Sequence, residues 1–247
     1  MDFVPNEQIS DLIKSHKIQF INAEYDDEGI FVYQAYKNEI ADYALEHQKF
    51  GGPHWGDRMT WIKTSFAWML YRCGYGKKHN QERVLKIKLS HKTFAEILAN
   101  CKLTIHLKNG EKPDKVEGES KIGRIQWDPE RDLYSCDPKK HEPRKMLNTR
   151  AIQIGIAGKV RDLYVENIIS IEEVTDVAKM IGEAHSLKKD ELVSCEMKNK
   201  CLVNRLPVET PYFPILNEVA DLERLALLPG DHAYVVAKLG KFKENKK

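Results

Sequence analysis

Three cations (Arg58, Lys63 and Arg72), two tryptophans (Trp61 and Trp68), two tyrosines (Tyr71 and Tyr75) and the hydroxyl pair Thr64-Ser65 fall within residues 57–75. Such a set can hold an anion and stack an aromatic ring. Met59 to Lys63 has the pattern of a short strand. Thr64 or Ser65 then has the chemistry of an N-cap, opening a helix that stops at Gly74, a residue suited to a left-handed C-terminal position. A helix N-terminus presents free N–H groups and partial positive charge. With Arg58 and Lys63 beside it, a phosphate or carboxylate is the ligand expected there. Arg72 sits more than a turn from that end, where the dipole has faded. Phe66, Met69, Leu70 and Cys73 share the helix's apolar face, and Ser65, Trp68 and Arg72 line the neighbouring stripe. A core helix whose cations snorkel to solvent fits the same spacing.

A second set lies on strands. In the segment Arg150-Ala151-Ile152-Gln153-Ile154-Gly155-Ile156 the isoleucines take one face and Gln153 the other, leaving Gln153 and Arg150 for polar work. An amide facing a cleft can donate to and accept from a ribose or base edge; the alternative is a cross-strand structural amide. Along Ile30 to Tyr36, Ile30, Val32, Gln34 and Tyr36 point one way and Phe31, Tyr33 and Ala35 the other. Gln34 is either a satisfied sheet amide or a ligand contact.

Around these residues strand and helix signals interleave without regular alternation. Strands are expected at Ile18 to Ala23, Ile30 to Tyr36, Met59 to Lys63, Arg83 to Leu89, Ile122 to Trp127, Arg150 to Ile156 and Ile168 to Val174, with the first two joined as a hairpin at Asp26-Asp27-Glu28-Gly29. Helices are expected after Asn6, from an Asn38 cap, from a Ser90 cap to Asn100, at Gly158 to Val165, at Val177 to His185 and at Asn217 to Leu228. Asp128-Pro129-Glu130-Arg131 has turn chemistry, and residues 108–121 and 138–148 read as loops. The expected fold is α+β, a central, mostly antiparallel sheet with flanking helices. Residues 1–175 form the main domain, and 176–247 a C-terminal extension packed on it.

Lys plus Arg (39) exceeds Asp plus Glu (37) by two, so no global field points to nucleic acid. Local basic patches remain at Lys77-Lys78-His79 and in the tail from Lys238. The five cysteines form no C-x-x-C pair, which fits free thiols in a reducing, cytoplasmic setting. The amino-terminal residues lack a signal-peptide pattern, and no apolar run reaches the roughly 18 residues of a membrane span. The nine histidines are scattered, and no metal motif, Walker A loop, G-x-G-x-x-G or G-x-S-x-G is present.

Val32 to Tyr36, Arg58 to Lys63, Gln81 to Leu85, Gln126 to Arg131, Arg150 to Gly155, Ile169 to Thr175 and Leu206 to Tyr212 together resemble the domain-of-unknown-function family 4291. That resemblance runs from about Ala23 to Tyr212 and implies no established function. A weaker resemblance, in element order, is to the ADP-ribosyltransferase superfamily. It implies a cleft with Tyr33-Gln34 at its first position, Thr64-Ser65 at its second and Gln153 near its third. Gln34 stands where that superfamily has Arg or His, and Gln153 where it has the catalytic Glu, so the acid is sought at Glu82, Asp128 or Glu172. The resulting expectation is a nucleotide-binding, NAD-dependent transferase. Gln153 and Glu172 take its catalytic positions, and Tyr33, Gln34, Arg58, Trp61, Lys63, Ser65, Arg72 and Arg150 hold the nucleotide. The alternative is an RNA- or DNA-binding module stacking bases on Trp55, Trp61, Trp68 and Tyr75.

Overall fold

The computed structural model of the chain describes residues 19, 21–104, 123–133, 146–184 and 205–212. The helices expected after Asn6 and at 217–228, the 108–121 loop, the basic tail, and Cys136, Cys195 and Cys201 lie outside these residues.

Nine strands and five helices are described: β1 (Ile21–Ala23), β2 (Gly29–Tyr36), α1 (Asn38–His47), β3 (Thr60–Lys63), α2 (Phe66–Cys73), β4 (Arg83–Ser90), α3 (His91–Ala99), β5 (Cys101–Leu103), β6 (Gly123–Arg131), β7 (Met146–Ile156), α4 (Gly158–Glu166), β8 (Ile168–Glu173), α5 (Thr175–Ala184) and β9 (Thr210–Tyr212). Seven strands form one open sheet in the order β5-β6-β7-β3-β2-β4-β8, and β1 and β9 pair separately. Only the β5–β6 pair is parallel. The chain is thus α+β with a mostly antiparallel open sheet, as its irregular element order predicts.

Alternation assigns the two faces. Ile152, Ile154 and Ile156 of β7, Ile62 of β3 and Val32 of β2 join one core with Ala41 and Ala44 of α1, Phe94, Ile97 and Leu98 of α3, and Val160 and Tyr164 of α4. Tyr33 and Val84 point the other way, into a second core with Phe66, Met69, Leu70 and Cys73 of α2 and Val177, Ala178 and Ile181 of α5. Each fully buried Val, Leu, Ile, Phe or Met side chain among these contributes ~1.5–3 kcal/mol relative to exposure. The sheet is therefore covered on one side by α1, α3 and α4, and on part of the other by α2 and α5.

Several local expectations are corrected. The Asp26 side chain accepts from the N–H groups of Glu28 and Gly29, forming the expected turn. The hairpin beyond it, however, is a single bridge, Tyr25 to Ile30, and β1 diverges to pair with β9. Lys37 rather than Asn38 occupies the N-cap of α1, and no side chain caps that end. Asp128 to Arg131 is not a turn but the end of β6, with a register shift between Pro129 and Arg131. β5 ends opposite Ile125, so among the described residues Pro129 faces a paired strand on the β7 side only, where proline is tolerated. β7 begins at Met146, four residues before the Arg150 expected from alternation.

At the outer strand β8, Gln48 closes α1 with a left-handed backbone at φ 50°. Its side-chain amide donates to Ile171 O (3.1 Å) while its carbonyl accepts from Ile171 N (2.7 Å). No helix among the described residues is long and apolar enough to cross a membrane.

Candidate functional site

Sheet register lines up six side chains on the face shared with α2. Glu172 stands opposite Lys86, Lys86 opposite Tyr33, Tyr33 opposite Lys63, Lys63 opposite Gln153, and Gln153 opposite Gln126. Under α2 and α5 the row is sealed at Tyr33, which is 1% exposed and tilted against Phe66 at 4.9 Å, its hydroxyl donating to Glu24 at 2.9 Å; Glu172 at the row's end is exposed. Toward β3, β7 and β6 the same face is polar instead of apolar. Lys63, Gln153, Gln126 and Asp128 meet there.

Gln153 Nε2 donates to Asp128 Oδ2, and Gln126 Nε2 to Asp128 Oδ1 at 3.2 Å, so both amides converge on one carboxylate. Lys63 is buried at 5% exposure and donates to Trp61 O at 3.1 Å. Burial, then the nearby Arg72 charge, pulls its pKa from 10.5 down to about 8, with weaker opposing effects from Cys73 and Asp128. Trp61 is half-buried and lies across β7 at Gly155. A Cβ on Gly155 would come within 3.1 Å of the indole and 3.0 Å of Met59 Sδ, so glycine here is what lets the ring lie on the sheet.

The start of α2 is filled differently from expectation. Ser65 is the N-cap and accepts from Trp68 N, and Gly74 ends the helix at φ 58°. This end is occupied by the protein's own carboxyl groups: Glu209 accepts from Phe66 N at 2.6 Å, and Ser65 Oγ donates to Glu130 at 2.7 Å. Burial pushes the Glu130 carboxyl above the ordinary range, against hydrogen bonds from Ser65 and Arg131 N. Glu209 is raised further, by burial first and then by the charges of Glu130 and Glu24, against its bond to Phe66 N. No composition signal links Ser65 to Glu130 or Phe66 to Glu209, which are 65 and 143 positions away.

A pH dependence follows with a definite sign. Between the ordinary carboxylate value, 4.5, and its raised native value, Glu209 keeps a proton that the unfolded chain has lost. Native protein then binds more protons, and stability falls as pH rises through that window. Glu209→Gln keeps an acceptor for Phe66 N and removes the ionisation. Urea titrations at about pH 4.5 and about pH 8 should show the parent losing stability relative to this variant at the higher pH. A constant difference would mean that the carboxyl is not strained by its surroundings.

Of the residues singled out by sequence, the structure brings Trp61, Lys63 and Gln153 together, with Arg72 close enough to act on Lys63. It adds Asp128 and Gln126 from β6. Gln34 and Arg150 fall on the opposite face by strand alternation, because each is an odd number of residues from the row. Tyr33 and Ser65 are covered by α2 and its capping carboxylates. Arg58 is exposed on the turn entering β3. Glu172 is four strands from Gln153, about 19 Å at ordinary strand spacing, so the two do not form one catalytic pair. Asp128 is the carboxylate beside Gln153.

No group of three or more metal-ligating side chains with the right geometry occurs among the described residues. Fold and site together define an α+β protein whose open sheet carries two helix-covered cores and one polar half-face. The chain belongs to the family described as a domain of unknown function (DUF4291), whose model matches residues 20–212. No curated protein matches it.

Proposed function

We propose that the polar half-face is a nucleotide site and that the chain is an ADP-ribosyltransferase-like transferase with NAD as its donor. The observation that carries this is the convergence of Trp61, Lys63, Gln153 and Asp128 on adjacent strands, with the charge of Arg72, exposed on α2, felt at Lys63. Arg72 and Lys63 supply positive charge for phosphates, and Trp61 a surface for a ring. The Gln153 carbonyl, which has no partner among the described residues, accepts from a ribose hydroxyl. Asp128, held beside it by two amides, supplies the negative charge that glutamine lacks and that an oxocarbenium-like ribosyl centre requires. An ADP-ribosyltransferase-like cleft is part of this proposal.

The nucleic-acid alternative is weaker on one specific point. Trp68 is 7% and Tyr75 8% exposed, so two of its four stacking platforms are core residues. Isothermal titration with NAD, ADP-ribose and a short single-stranded RNA separates the two. Gln153→Ala should reduce NAD and ADP-ribose affinity at least tenfold. It should cost ~1 kcal/mol of stability, because Asp128 keeps its bond from Gln126. A variant that melts early yet binds normally removes Gln153 from the site, and binding of RNA alone overturns the transferase reading.

A further inference from the structure

Lysines on the shared face are treated in two ways. Lys86 is paired with Glu24 at 2.8 Å, and Lys88 with Asp26 at 2.9 Å. Lys63, on the strand beyond Tyr33 and more buried than either, has no carboxylate oxygen within 4.0 Å among the described residues. Its single hydrogen bond is to a backbone carbonyl. Asp128, the acid nearest in register, is turned to the amides of Gln126 and Gln153. An ammonium has three N–H donors, and among the described residues only one is used. A buried lysine without a counter-ion favours its neutral form, and a guanidinium nearby favours it further. Neutral lysine carries a nucleophilic lone pair, and desolvation beside a second cation is one of the ways enzymes expose it.

We propose that Lys63 is a nucleophilic amine that condenses with the carbonyl of an anionic aldehyde or ketone, whose negative group is held by Arg72. The Nζ lone pair attacks the carbonyl carbon, a C–N bond forms, and the π electrons move to oxygen. Oxygen takes up a proton, and a carbinolamine results. Loss of water, with a second proton from nitrogen, leaves the imine; amine plus carbonyl gives imine plus water, with no redox partner. Asp128 is the nearby group able to accept and return the proton. With a pKa of about 8 against 10.5, Lys63 at about pH 7.5 has roughly two hundred times the neutral fraction of an ordinary lysine. This inference rests on the polar half-face being a ligand site, and it deepens that reading where the carbonyl is the open-chain aldehyde of a ribose phosphate.

The test is reductive trapping on the full chain, with glyoxylate as the minimal anionic aldehyde, ADP-ribose as the nucleotide one, and borohydride to fix the imine. Peptide mass mapping should place the adduct on Lys63 before the exposed Lys77 and Lys78. Arg72→Gln should slow trapping by glyoxylate at least tenfold, and Lys63→Arg should abolish it at that position, with melting curves confirming that both variants fold. Adducts on Lys77 and Lys78 with Lys63 unmodified overturn the inference. Trapping by glyoxylate without ADP-ribose or NAD binding in calorimetry sustains it and sinks the nucleotide reading. Nucleotide binding with Lys63 never trapped does the reverse.

Discussion

Lys63→Met should melt higher than the parent near neutral pH and bind nucleotide far more weakly. The native amine releases its proton near pH 8, whereas the unfolded chain holds it to 10.5. Between these values the unfolded state binds more protons, so stability rises with pH; below 8 the whole penalty is present. A depression of 10.5 minus 8 amounts to about 3 kcal/mol at most. Methionine fills a similar volume without the charge, at the loss of one bond to Trp61 O worth about 1 kcal/mol. The expected net gain is about 2 kcal/mol at pH 7, shrinking to nothing by about pH 10. Denaturant titrations across that range read it directly. A variant less stable than the parent at pH 7 would show that the amine is stabilised where it lies. Gain of stability with loss of binding is the signature of a residue retained for function at a cost to the fold.

Gln34 should behave in the opposite way. Its amide is 1% exposed, donates to Tyr36 Oη (2.8 Å) and Thr60 Oγ1 (3.0 Å), and accepts from Tyr164 Oη (2.7 Å). Truncation to alanine opens a cavity and leaves the Tyr164 hydroxyl buried without its acceptor. Together these should cost about 3–5 kcal/mol, or roughly 10 °C in melting temperature for a domain of this size. Ligand affinity of the folded fraction should not change. Gln34→Leu with Tyr164→Phe removes both partners and should recover more than half of the loss seen when either is changed alone. Failure to recover would mean that the bonds to Tyr36 and Thr60, and not the one from Tyr164, carry the loss.

In these residues the local pattern is legible from the sequence and the long-range pairing is not. Period-two alternation placed Gln153 opposite the isoleucines and put Gln34 and Tyr33 on different faces, because strand geometry is local. The N-cap at Ser65 and the stop at Gly74 were legible for the same reason. Strand order was not: only the register β2–β3–β7–β6 brings Lys63 between Tyr33 and Gln153 and sets Asp128 beside them. Pro129 points to a turn because local chemistry does not reveal that residues 128–131 continue the ladder with β7. The long-range partners of α2, Glu130 and Glu209, followed from tertiary packing alone.

The amide of Gln48 has a consequence for how the sheet can meet other chains. A strand with one free side exposes N–H and C=O groups that any extended segment can extend, whether from a second copy or from a peptide. At Ile171 both groups are already taken by a side chain that imitates one peptide unit of a missing neighbour. Yet this plug cannot propagate, since it presents no further ladder of its own. Among the described residues, a ladder on that flank is therefore interrupted at Ile171, without a proline or a charge in the middle of β8.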